Sequence, residues 1–124
     1  LKFIKKNKHK VSDDVAKTLK IVSTKCAEFN NMSLDEKLEA ICNSIEYLLK
    51  PHKKSDKFIV LDYTDTDGYL SDDIVKGYRN KLECFRHSTK EDIDKRANYT
   101  DSQKDFFINY GLVIIDYINK KIND

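Results

Sequence analysis

Glycine is scarce in this chain, and its scarcity rules out whole classes of site. Gly68, Gly77 and Gly111 are the only three glycines and no two lie close together, so neither a P-loop nor a Rossmann turn is available for a nucleotide. Cysteine is nearly as sparse. Cys26, Cys42 and Cys84 are odd in number and show no C-x-x-C spacing, which excludes a disulfide framework and a zinc knuckle. No apolar run approaches the ~20 residues that cross a bilayer, and no signal-peptide core is present at the start. No Ser-His-Asp order or paired-histidine metal motif occurs, and no internal repeat or low-complexity stretch. A surplus of one charge is also missing. The formal net charge is +2, which argues against a protein that coats DNA generally.

What is present suits one soluble domain. The 124 residues are 40% hydrophobic and 35% charged, enough for one core beneath a strongly charged surface. Cys26 and Cys42 sit in apolar stripes and are read as buried thiols, which points to a reducing, cytoplasmic setting. The first residue is Leu1 rather than Met, so a fragment or a processed product is expected. Charge is uneven along the chain. Lys2, Lys5, Lys6, Lys8 and Lys10 surround His9 and define a basic arm over residues 1–11, either solvated or in contact with nucleic acid. Asp62, Asp65 and Asp67 cluster in the middle, but their spacing does not fit a twelve-residue calcium loop and no closing glutamate follows.

Four helices announce themselves, near residues 12–29, 33–50, 71–88 and 101–122. Ser12 with Asp13 and Asp14 forms a start signal. Val15, Leu19, Val22, Cys26 and Phe29 then mark one apolar stripe. Ser33 and Glu36 form a capping box ahead of a second stripe, Leu38, Ile41, Cys42, Ile45, Leu48 and Leu49, which Pro51 stops. Ser71 opens the third helix, and Thr100 with Gln103 opens the last and most apolar one. Gly111 inside that last helix costs ~1 kcal/mol against alanine, so a closely packed neighbour is expected there. Residues 51–70 read as irregular. Residues 88–99 read as a loop, with at most one turn around 91–95. The predicted fold is an all-α, four-helix, mostly antiparallel bundle over residues 12–124.

The third helix carries the chemistry. Ile74, Val75, Tyr78, Leu82 and Phe85 mark its apolar face, and Arg79, Glu83 and His87 fall four apart in a row on the other side. Arginine grips phosphate with a planar fork, and histidine takes or gives a proton near neutral pH. Asn80 and Arg86 lie beside that row. RNA cleavage needs no metal, because the 2′-hydroxyl can attack phosphorus once a base takes its proton and a cation steadies the phosphorane. Arg79 and His87 supply that minimum; Asn80, Glu83 and Arg86 are placed to support it. The plainer reading is a solvated face laced with i,i+4 ion pairs. Tyr99, Tyr110 and Tyr117 are read as core rings before base-stacking ones, and His9 and His52 as surface residues.

A helical bundle whose third helix bears Arg79 and Asn80, then His87 near its end, resembles the HEPN superfamily over residues 12–122. The family motif is Arg, four to six residues, then His, often with Asn directly after the Arg. Here seven residues intervene, and Cys84 stands five after Arg79. The resemblance implies a metal-independent endoribonuclease of an abortive-infection or toxin system, acting on single-stranded RNA without a cofactor. It also implies a homodimer in which two copies of the motif face each other, with Glu83 between Arg79 and His87, and an antitoxin or adjacent domain as a further partner. The longer spacing leaves two outcomes: His87 acts from it through a local distortion of the helix, or the domain is a catalytically silent dimerisation or partner-binding module.

Overall fold

Two hydroxyl side chains end the first helix. In the computed structural model, which describes residues 13–50 and 57–123 with side chains from Lys17 onward, α1 spans Asp13–Thr24. Thr24 Oγ1 donates to Lys20 O at 2.6 Å, and Ser23 Oγ to the same carbonyl at 3.4 Å. Both compete with the backbone ladder. Lys25 then turns into the left-handed region at φ 51°, and a single-turn helix α2, Ala27–Asn30, follows. The stripe expected to run unbroken to Phe29 is therefore interrupted. Phe29 still reaches the core, while Cys26 at the break is only half-buried, unlike the buried Cys42 and Cys84. All three thiols are free. The arm over residues 1–11, His9, Ser12, Pro51 and His52 lie outside the described residues.

Helix α3, Leu34–Leu49, is capped as anticipated. Glu36 N donates to Ser33 Oγ at 3.1 Å, and Ser33 N donates to Glu36 Oε1 at 2.9 Å. Its burial exceeds a single stripe. Ala40 and Ser44 are buried as well, Ser44 Oγ donating to Ala40 O at 2.8 Å, because α1, α4 and α6 all pack against this one helix. No strand occurs among the described residues, and no helix there is long and apolar enough to cross a membrane.

A 3-10 turn, Thr64–Thr66, breaks the irregular segment after α3. Tyr63 stacks on Tyr117, whose hydroxyl bonds Asp65, and Lys121 Nζ pairs with Asp65 at 3.2 Å, so the turn is fastened to the last helix. Ser71 caps α4, Asp72–Leu82, by accepting from Ile74 N. The helix then tightens into a second 3-10 turn, Glu83–Phe85, where the expectation was α-helix to residue 88. Cys84 and Phe85 are both buried there. Residues 90–97, expected to be loop, form α5, Lys90–Ala97. No apolar stripe betrays α5. It rests on local signals: the Thr89 cap, acids Glu91 and Asp92 in its first turn, Lys95 and Arg96 in its last, and a 3.2 Å Glu91–Lys95 pair.

Helix α6, Asp101–Asn123, follows the Thr100–Gln103 box. Gly111 has its expected neighbours. A Cβ at this position would lie 2.6 Å from Ile41 Cγ2 and would overlap the Tyr78 hydroxyl. That hydroxyl donates to Phe107 O at 2.5 Å, so Gly111 is the gap through which α4 is tied to α6.

Candidate functional site

The polar row that begins on α4 is open to water only at its His87 end. It meets Glu46 of α3. Arg79 Nη2 lies 3.0 Å from Glu46 Oε2 and 2.7 Å from Glu83 Oε1. Arg86 Nη1 lies 2.9 Å from Glu83 Oε1 and also binds Glu46 Oε2. The other oxygen of Glu83 is 3.1 Å from His87 Nε2. Glu83 thus spends one oxygen on both arginines and the other on the histidine. The tightened 3-10 turn keeps the i,i+4 contacts on both sides of Glu83, so Arg79 and His87 share one carboxylate without touching each other.

Burial grades across the cluster. The Arg79 side chain is 13% exposed, Glu46 24% and His87 54%. Arg79 lies over the Phe58 ring at 5.6 Å, and its Nε is buried without a partner. Its Nη1 donates to Asn80 Oδ1 at 3.3 Å. Lys50 adds a third cation, 3.7 Å from Glu46. Burial by itself would raise the Glu46 carboxyl; the Arg79 hydrogen bond and the charges of Arg86, Arg79 and Lys50 outweigh it and hold the group below its ordinary value. Arg86 is pushed the other way. Burial disfavours its charge, but Glu46, Cys42 and Glu83 more than compensate and raise it. Cys42, beside the cluster, is pushed up to about 12 by burial despite both arginines, so it remains a protonated, inert thiol.

Glu46 is the residue that sequence reasoning missed. It occupies an ordinary polar position between Ile45 and Leu48, and no spacing rule links it to a residue 40 positions further on. Its loss should be felt in stability and in the acid response. A carboxylate whose folded value is depressed stabilises fully above its unfolded value, near 4.5, and stops doing so as pH falls through the lower folded value. Glu46→Gln should therefore cost about 2 kcal/mol at pH 7, and the cost should shrink as pH falls below the unfolded value of 4.5. Urea titrations across the acid range measure the change; a cost that stays constant down to acid unfolding would mean that the charge of Glu46 does not matter.

The tyrosine candidates pack against neighbouring rings, Tyr99 keeping one side at the surface. Tyr99 contacts Phe85 and Phe107, Tyr110 contacts Tyr78 and Phe106, and Tyr117 stacks on Tyr63. Among the described residues no group of three or more His, Cys, Asp or Glu could hold a metal ion, the Asp62, Asp65 and Asp67 cluster included. No family model, curated protein or solved structure matches the chain.

Proposed function

We propose that this chain is a HEPN-like, metal-independent endoribonuclease domain of an abortive-infection or toxin system, acting on single-stranded RNA in the cytoplasm. In this reading α1, α3, α4 and α6 form a mostly antiparallel four-helix bundle. Two such bundles pair as a homodimer about an axis near the C-terminal end of α4. The observation that carries the reading is the Glu83 carboxylate, which joins His87 to both arginines.

A carboxylate only accepts, so in this reading Nε2 of His87 carries its hydrogen toward Glu83, and in the copy that acts as base Nδ1 carries the lone pair. Nδ1 takes the proton of the RNA 2′-hydroxyl as O2′ bonds to phosphorus. Glu83 then stabilises the imidazolium. In the second copy His87 starts doubly protonated; the P–O5′ bond breaks, and the leaving oxygen takes the Nδ1 proton of that imidazolium. The products are a 2′,3′-cyclic phosphate and a 5′-hydroxyl. Arg79 exchanges Glu83 for a phosphate oxygen while Glu46 keeps hold of the guanidinium; Asn80 and Arg86 hold the arrangement in place.

One observation favours a second reading, the silent dimerisation or docking module: the two guanidinium groups already have both carboxylates as partners. Labelled single-stranded RNA incubated with the purified chain in EDTA separates the two. The nuclease reading expects cleavage with cyclic phosphate ends, and light scattering that reports a dimer at tens of micromolar. Intact RNA over a protein that still dimerises would favour the silent module, and a strict monomer would end the composite site.

A further inference from the structure

Beside this cluster lies a cleft of about 370 Å³ between the end of α4, the 3-10 turn and α5. That volume is within the ~300–1,000 Å³ of small-ligand sites. Its walls include Asn80, Lys81, Lys95, Asn98 and Tyr99. We propose that this cleft is a nucleobase subsite, holding one unpaired base of single-stranded RNA next to the phosphate at Arg79; it rests on the nuclease reading.

The lining chemistry supports a base over a bare anion. Asn80 and Asn98 each bring an amide with both donors and an acceptor, the group that pairs with a base edge. Arg79 donates to Asn80 Oδ1 at 3.3 Å, which leaves the Asn80 NH2 for a ligand and couples the cleft to the candidate active site. Asn98 ends α5 through its backbone N–H, and its exposed side-chain amide has no partner among the described residues. Tyr99 supplies an aromatic wall. Phe85 at 6.0 Å and Phe107 at 5.5 Å fix its ring, so a stacking base would meet a surface already ordered.

Electrostatics agree. Two carboxylates also line the cleft, but both are engaged. Glu83 is held by Arg79, Arg86 and His87, and Asp92 accepts from Thr89 Oγ1 at 2.7 Å. Lys81 is exposed and has no carboxylate partner among the described residues. Lys95 is paired only with the exposed Glu91. The two ammonium groups supply positive charge at the cleft for the phosphates on either side of the base. A paired base could not enter, because its edge would be masked; single strands are the substrates this cleft suits.

The test uses the full chain carrying His87→Ala, so that RNA is bound and not cut. Fluorescent octamers of rA, rC, rG and rU are titrated by anisotropy. One base should bind about tenfold tighter than the weakest, the discrimination of one amide–base pair. Adding Asn98→Ala should collapse that ratio toward one. Adding Lys95→Ala should instead weaken all four alike and reduce the salt slope by about one. Equal affinity for the four octamers, absence of binding, or a base preference untouched by Asn98→Ala would overturn the subsite. Wild-type cleavage in EDTA, run in parallel, keeps the two ideas apart. Base-selective binding without cleavage removes the nuclease and leaves the subsite; cleavage with no base preference does the reverse.

Discussion

Gly111→Ala should destabilise the fold by about 2 kcal/mol, even though alanine is the better helix former. Helix propensity alone favours the substitution by ~1 kcal/mol. Against it stands an overlap with the Tyr78 hydroxyl and a 2.6 Å approach to Ile41 Cγ2. Overpacking a buried site typically costs 1–3 kcal/mol. If Tyr78 swings away, its 2.5 Å bond to Phe107 O is lost, a further ~1 kcal/mol. Ile41 is fully buried on α3 and has little room to move. With 5–15 kcal/mol typical for a domain, such a loss is visible in any thermal or urea transition. The double variant Gly111→Ala, Tyr78→Phe removes the overlapping oxygen and should recover part of the loss, a non-additivity that marks direct contact. A neutral or stabilising Gly111→Ala would mean that α4 and α6 do not approach each other at Gly111.

On the nuclease reading proposed above, His87→Ala should lower RNA cleavage in EDTA by about 10²–10⁴-fold, the usual contribution of a positioned general base, with little change in stability. The two effects separate because of where the side chain sits. It is 54% exposed and fills no part of the core. Its only contact with the network is the partly exposed Glu83, and an exposed pair of this kind contributes little to folding. The loss should appear in kcat rather than in RNA affinity, since imidazole removal leaves both arginines in place. Cleavage that continues undiminished in the folded variant would remove His87 from the mechanism, whatever the fate of Arg79.

Glu83 shows how far one-dimensional reasoning reaches into the site. Its contacts with Arg79 and His87 follow from a spacing of four, and they survive the change from α-helix to 3-10 turn. Its contact with Arg86 follows from a spacing of three. α5 shows the reverse limit. Periodicity is the strongest helix signal, and a two-turn helix with no buried residue has none; only its cap and the order of its charges speak for it. The break at Lys25 escapes the apolar stripe for a related reason. A stripe counts residues on a face, and α2 returns Phe29 to that face after the chain has left the helix.

The sequence by itself determined the helical class and the starts of α3, α4 and α6, because a capping hydroxyl, its acids and a 3.6-residue period act within a few residues of each other. It also determined that Arg79, Glu83, Arg86 and His87 would share one surface. Only the tertiary structure decided what that surface faces. Glu46 comes from another helix, and the packing of α3 against α4 sets its distance to Arg79 and Arg86. That packing makes the row, which the sequence alone could read as solvated or as an active surface, a half-buried ion cluster with His87 at its open edge. The packing of α6 against α3 and α4 likewise requires a glycine at position 111, since whether a methyl group fits there depends on Ile41 and Tyr78, which no local pattern places.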